Sequence, residues 1–355
     1  MNDNDDRAAG GKADVVPAAT ASRMRELGIS LAFAAQMRAA ARLGIADALG
    51  DQPRPAAELA AAIDADPDTL DRLLRALTSH GVFVETAPGH YAHTDLSQLL
   101  REDHPASLKY LMLWFTAPWT WQVWPRLDEA VRTGKPAFTE IYGADFFAYL
   151  RSDPESAEVF NRAMTEASRI SSDRVVDVLD VTDVRTVVDV GGGQGHLVAT
   201  LLRRYPQVRA VLYDLATVVA GALAEIREGG ELADRCQVVA GDCRVDVPAG
   251  ADLYLFKNVL EWDDESTLAA LRAVRRCGQP GGRVVLVQNL VEDTPELTVT
   301  TAMDLFMLLN VGGKKHTRRG LARLLEAAGL RPDGVEPVPG TTLRAVTAHI
   351  PAVGA

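Results

Sequence analysis

Cysteine is scarce in this 355-residue chain: Cys236, Cys243 and Cys277 are the only three, and none forms a C-x-x-C pair. That argues against a disulfide framework and, with no secretory signal visible, leads us to expect a reducing cytoplasm. Each thiol alone reads as a small buried hydrophobe. No apolar run reaches the roughly 18 to 20 residues of a membrane span. Basic charge is also short, with 37 Lys and Arg against 48 Asp and Glu and a net charge of -11. Such a balance disfavours nucleic acid or an anionic membrane as partner and suits a small, mostly uncharged ligand. The seven histidines (His80, His90, His93, His104, His196, His316 and His349) are scattered, with no helical pair and no zinc-type cluster, so no protein-bound metal is expected. What the chain does have is 47% hydrophobic residues, ample for one large or two ordinary domains.

Residues 1–18, polar and rich in small residues, read as a disordered leader. Residues 19–100 carry strongly apolar helical patterns. Asp68 follows Pro67 as a candidate N-cap, a helix ends at Gly81, and the hairpin VFVETAPGHYAHT turns at Pro88-Gly89. This is a winged-helix outline. Residues 1–100 nevertheless hold 9 Lys/Arg against 14 Asp/Glu, the wrong bias for binding phosphates, so the Ala- and Leu-rich helices read as a dimerisation surface. Residues 101–180 are helical again and contain four of the five tryptophans in LMLWFTAPWTWQVW. Trp114, Phe115, Trp119, Trp121 and Trp124 suit either an aromatic pocket, because flat rings grip flat ligands, or ordinary core packing.

From Val184 the rhythm changes. RTVVDV, RAVLYDL, CQVVAG, DLYLFKNV, GGRVVLVQNLV, VEPVPG and TLRAVTAHI are strand-like runs, most of them separated by helical stretches. Apolar character on both faces predicts a doubly wound, mostly parallel seven-stranded α/β sheet over residues 181–355. The last two strands, with no clear helix between them, predict an antiparallel hairpin at the sheet edge. The first strand ends in DVGGGQG, where Asp189, Gly191, Gly193 and Gly195 lie at the carboxyl end that binds ligands in such sheets. A dinucleotide fingerprint demands glycine at 196, which is His. An acidic residue just before the glycines faces a pyrophosphate unfavourably but suits the ammonium of an amino acid, which points to S-adenosylmethionine rather than NAD. Asp214, ending the second strand, is placed to accept ribose hydroxyls, and Asp242, in AGDC after Gly241, to accept from an adenine amino group. Strand-end Asp residues also cap helices. Three in register on successive strands favour the cofactor.

The order DVGGGQG, YDL, GDC, FKNVLEWDDE, GGRVVLV, MDLFMLLNVGGKKHT resembles the S-adenosylmethionine-dependent O-methyltransferases of small aromatic natural products, both plant phenylpropanoid enzymes and actinobacterial polyketide-tailoring enzymes. The resemblance spans nearly the whole chain. It implies a Rossmann-like class I methyltransferase fold preceded by a winged-helix dimerisation domain, and a homodimer. It also implies cofactor roles for Asp189, Gly191, Gly193, Asp214, Leu215, Asp242, Cys243 and Lys257, with Cys243 standing where the family usually has an aromatic residue. MDLFMLLN resembles the family's substrate helix, so Met303, Phe306, Met307 and Asn310, with Trp262, are expected to line the acceptor pocket, or else to be plain core. Asp304 is a further candidate to bond the acceptor.

The family's V-L-H-D-W-x-D-E, whose His takes the acceptor's proton, is one residue shorter here. It reads Val259-Leu260-Glu261-Trp262-Asp263-Asp264-Glu265. Gln288 and Lys315 replace the family's supporting acids, and His316 needs a register shift to serve. Deprotonating a phenol of pKa about 10 is uphill by roughly 8 kcal/mol for a carboxylate of pKa about 4.3, against about 5 for a histidine. Glu261 and His316 are the candidates for catalysis. Three chemistries stay open: O-methylation of an acidic, conjugated hydroxyl; methylation of another atom such as an activated ring carbon; and a non-methylating tailoring reaction that keeps the cofactor.

Overall fold

The computed structural model describes residues 17–292 and 297–352. The expected leader lies almost wholly outside them, and its last residue, Ala18, already opens a helix. The chain separates into two compact units, one ending at Gln98 and the other beginning at Leu99.

In the first unit the Pro67–Thr78 helix buries Leu70, Leu74 and Leu77, one face at i, i+4 and i+7. Its N-cap is Asp66, not Asp68: the Asp66 side chain accepts the Thr69 N–H at 2.8 Å. Pro67 takes the first helical position, where its missing N–H costs nothing, and Asp68 therefore sits inside the first turn. The wing is the pair β2 (Phe83–Ala87) and β3 (His90–His93), joined through Pro88-Gly89. A two-residue strand β1 (Arg54–Pro55), too short to leave a sequence signal, pairs antiparallel with β3. The Ala18–Arg42 helix buries only Ala40 and Ala41 and leaves Met24, Leu27, Ile29 and Leu31 exposed.

The second unit is built on a sheet of seven strands: β4 (Thr186–Val190), β5 (Arg209–Asp214), β6 (Cys236–Ala240), β7 (Leu253–Lys257), β8 (Arg283–Gln288), β9 (Arg331–Pro337) and β10 (Arg344–His349). Their order is β6-β5-β4-β7-β8-β10-β9. The first five are parallel, and β10 runs antiparallel to both β8 and β9, the expected edge hairpin. Side chains alternate between two cores. Val187, Leu253 and Leu255 pack into one face, while Val188, Tyr254 and Phe256 pack into the other. Removing a Leu or Val of this kind fully from water contributes about 1.5–3 kcal/mol, which is why the central strands β4, β7 and β8 read as continuous apolar runs.

A third core is rich in aromatic residues. Trp114, Trp119, Phe138, Phe146 and Phe306 are buried in it, and it joins residues 110–164 to the Leu297–Val311 helix.

Candidate functional site

Strand β4 delivers Asp189 and then a glycine run to the carboxyl edge of the sheet, where β5 and β7 flank it. Three of these glycines are sterically fixed: Gly191, at φ +67°, leaves a Cβ only 2.6 Å from Val259 Cγ2. A Cβ on Gly192 lies 2.5 Å from Asp189 Oδ2, so any larger residue drives into the carboxylate. Gly195, at φ +91°, caps the His196–Arg204 helix, and a Cβ there meets Ile226 Cδ1 at 2.3 Å. The spacing Asp189-x-Gly191-x-Gly193-x-Gly195 does not single out Gly192; the unbroken G-G-G is its sequence signal.

Asp189 is 1% exposed, and neither carboxylate oxygen has a hydrogen-bond partner among the described residues. Burial, with the nearby Asp214 charge, pushes its carboxyl up to about 7 against the pull of Lys257. Lys257, at the tip of β7, is in turn held down to about 8 by burial, and its Nζ lies 3.3 Å from Ser168 Oγ. Ser168 belongs to the Pro154–Val178 helix, 89 residues away in sequence. A carboxylate with two bare oxygens in a glycine-lined recess is a site for a cation.

Asp214 ends β5 as expected. Its Oδ2 accepts the Gly193 N–H at 2.8 Å and its Oδ1 accepts the Leu215 N–H at 2.7 Å, which ties the glycine turn to the neighbouring strand tip. Burial raises its carboxyl as well. Each oxygen keeps a second lone pair. Beyond β6, Gly241 lies against Tyr213, whose hydroxyl is 2.1 Å from where a Cβ would stand. The Asp242 carboxylate is not bare: the Arg244 guanidinium grips it with Nε to Oδ1 at 3.0 Å and Nη2 to Oδ2 at 2.7 Å, which lowers its pKa. Arg244 also lies over the Trp262 ring at 5.8 Å. Cys243 is buried and its thiol is pushed up to about 12, which leaves it a packing residue rather than a nucleophile.

The segment LFKNVLEWDDE resolves into separate tasks. Asp263 is the N-cap of the Asp264–Cys277 helix, accepting the Ser266 N–H at 2.9 Å, and Asp264 and Glu265 occupy its first turn. These three acids build the helix start. Glu261 is different: its side chain is 10% exposed and forms an ion pair with Lys315, itself 8% exposed. Its carbonyl accepts the Lys314 N–H at 3.1 Å, and Asp304 Oδ1 accepts the Lys315 N–H at 2.6 Å. His316 is 2% exposed, bonds the backbone at Leu260, and has no partner at Nε2. Burial, then the Lys314 charge, lowers its basicity. Gln288 is buried at the end of β8 with its Nε2 likewise unpartnered.

Among the expected acceptor residues, Trp114, Phe115, Trp119, Met303, Phe306 and Met307 come together in the aromatic core. Trp114 meets Phe306 edge-on at 5.3 Å, and Trp124 lies 6.2 Å from it. Trp262 is not among them; it precedes the Asp263 cap and packs with Leu260 and Leu271 against the sheet core. Asn310 is buried, and its Nδ2 donates to the Phe306 carbonyl at 2.9 Å. The helix carrying Trp114 and Phe115, Lys109–Phe115, has no local side-chain cap. Glu166 serves instead, accepting the Tyr110 N–H at 3.2 Å and the Leu111 N–H at 2.9 Å. Sequence patterning does not reveal a cap more than 50 residues distant. Among the described residues, no group of three or more His, Cys, Asp or Glu is arranged to hold a metal ion, and no helix is long and apolar enough to cross a membrane.

Comparison with known proteins decides the family. The O-methyltransferase domain pattern matches residues 124–331, and the O-methyltransferase dimerisation domain pattern matches residues 27–103. The chain belongs to the O-methyltransferase family. It is 37% identical to the mitomycin biosynthesis 6-O-methyltransferase of Streptomyces lavendulae over 84% of this chain and 87% of that protein. The calicheamicin biosynthesis methyltransferase CalO1, solved in an S-adenosylhomocysteine-bound form, superposes with a TM-score of 0.83 at 34% identity, covering 96% of this chain and 100% of that one. The aclacinomycin 10-hydroxylase RdmB of Streptomyces purpurascens is 34% identical over 83% of this chain and 80% of its own length.

Proposed function

We propose that this protein transfers a methyl group from S-adenosylmethionine to a hydroxyl of a small aromatic natural product, working as a homodimer in the cytoplasm. The observation that carries the reading is Asp189, a fully buried carboxylate with two unpartnered oxygens beside Gly192. It suits the ammonium of the cofactor's amino-acid end. The free lone pairs of Asp214 suit its ribose hydroxyls, and Gly241, Asp242 and Cys243 flank the place for its adenine. When bound, the cofactor supplies an electrophilic methyl carbon on a sulfonium. Lys257 is anchored on Ser168 and supports the Asp189 charge. Trp114, Phe115, Trp119, Met303, Phe306 and Met307 form a dry aromatic wall for the acceptor, which brings rate through proximity and exclusion of water. Residues 19–100 are assigned to dimerisation, consistent with the exposed Met24, Leu27, Ile29 and Leu31. Residues 101–180 are assigned to the acceptor pocket and residues 181–355 to the cofactor.

The missing His, with the hydroxylase among the relatives, supports a second reading in which the cofactor is retained without methyl transfer. Incubation with S-adenosylmethionine and a panel of hydroxylated aromatics, read by mass spectrometry, separates the two. One added methyl per acceptor, on oxygen by NMR, is the expected result. Cofactor binding with oxidised but unmethylated products selects the second reading.

A further inference from the structure

A buried ion pair is a costly choice for stability alone, because apolar residues of similar size generally hold such a place as well or better. The Glu261–Lys315 pair, with both side chains about nine-tenths buried, therefore calls for a role. Its setting is specific. The Lys315 backbone is pinned by Asp304, and Asp304 stands on the same Leu297–Val311 helix that sends Met303, Phe306 and Met307 into the aromatic core. Lys315 has three N–H donors, so its bond to Glu261 leaves others to give. Trp114, packed on Phe306, has a buried Nε1 donor with no partner, and so does Gln288 at its Nε2. Asn310, buried on the same helix as Phe306, has an unpartnered acceptor at Oδ1. A buried cation thus stands beside Glu261, in the two segments where the resemblance implies a base and its supporting acid.

We infer that the acceptor is bound as an oxyanion, and that Lys315 is the group that holds its oxygen. This rests on the methyltransferase reading and specifies its substrate class: a ring hydroxyl conjugated to a carbonyl or nitro group, such as a hydroxyquinone, already ionised near neutral pH. The proton has gone to solvent before binding. A lone pair of the oxygen forms the new bond to the methyl carbon, the carbon–sulfur bond breaks, and its electron pair stays on sulfur as a neutral thioether. No proton changes hands on the protein, so Lys315 stays an ammonium and Glu261 a carboxylate throughout. The absence of the His then follows from the substrate. The charged groups around Lys315 are Glu261 on the loop after β7, Asp304 on the helix, and Lys314 and His316 on its own segment, with Lys314 paired to Asp264 at 2.7 Å.

The test is an absorbance titration of 4-hydroxybenzaldehyde and 4-nitrophenol, whose anions absorb at longer wavelength than their neutral forms, on the full chain with and without S-adenosylhomocysteine over about pH 5 to 9. The ionisation of a bound probe is expected to move toward acid by about tenfold or more relative to the free probe, one pH unit or more. Lys315→Arg retains the shift, Lys315→Met abolishes it, and Glu261→Gln, which releases Lys315 from its carboxylate, enlarges it. The double variant Glu261→Met with Lys315→Met leaves no unpaired buried charge and serves as the folded control that lacks the shift. Unshifted or alkaline-shifted ionisation overturns the inference, as does equal anion binding by the double variant or failure of both probes to bind. No methyl moves in this titration, so failure of the methyl-transfer panel and failure of the Lys315 assignment are separate results.

Discussion

Asp189→Asn is expected to weaken S-adenosylmethionine binding by about 100- to 1,000-fold while leaving the cofactor-free protein more stable than the parent above pH 7. The first effect is the loss of a buried charge facing a cationic group, worth about 2–5 kcal/mol in comparable desolvated pairs. The second follows from linkage. Burial holds the folded-state carboxyl at about 7, well above the ordinary aspartate value of 3.8. Between those two values the folded chain keeps a proton that the unfolded chain has lost, so its stability is complete at low pH and falls as pH rises toward 7. At 1.36 kcal/mol per pH unit the ionised carboxylate costs the cofactor-free fold up to about 4 kcal/mol. Asn carries no such charge, although its unpartnered amide retains part of the burial cost, so a gain of about 1–3 kcal/mol is expected. Chemical denaturation at several pH values, beside calorimetric titration with S-adenosylhomocysteine, reads both. A variant that loses stability along with binding gives Asp189 a structural role instead.

Lys315→Met is expected to cost about 3–5 kcal/mol, because it strands the Glu261 carboxylate in a site that is only 10% exposed. Replacing both members by Met is expected to return stability to within about 1–2 kcal/mol of the parent, since two well-packed apolar chains leave nothing to solvate. This non-additivity is the signature of direct coupling, and a denaturant double-mutant cycle measures it. Additive losses instead indicate that each side chain is held by other contacts. The outcome bears on activity too: a Glu261 committed to Lys315 is poorly placed to take a proton, whereas two independent side chains leave Glu261 available as a base.

Much of this was legible in the sequence because it is encoded locally. The central strands announce themselves as apolar runs because both faces are buried, unlike the polar edge strand β9, and Asp189 and Asp214 announce themselves because polar residues at buried strand tips need a reason. Cross-chain arrangements left no such mark. The Asp66 cap was misplaced by two residues because Asp66 and Asp68 both flank Pro67, and only the backbone distinguishes Pro at the first helical position from Pro before the cap. Ser168 beneath Lys257 and Glu166 capping the Trp114 helix act across 55 to 89 residues, beyond any periodicity. The motif of Trp262 places it at the acceptor pocket, and in the structure it is partly buried against the sheet core, outside the aromatic cluster. Glu261 and Lys315 were both visible as departures from the family. That they answer one another, carboxylate to ammonium, is a fact of geometry.

The most direct test of the cofactor site is calorimetric titration of the full chain with S-adenosylhomocysteine at about pH 6 and about pH 8, each in two buffers of different ionisation enthalpy. If the ligand's ammonium meets Asp189, one molecule binds per chain, more tightly at the higher pH. Close to one proton is then released on binding at about pH 6 and almost none at about pH 8, because the carboxyl that titrates at about 7 must ionise to receive the cation. Binding with no proton release at the lower pH, or no binding at either, contradicts that assignment.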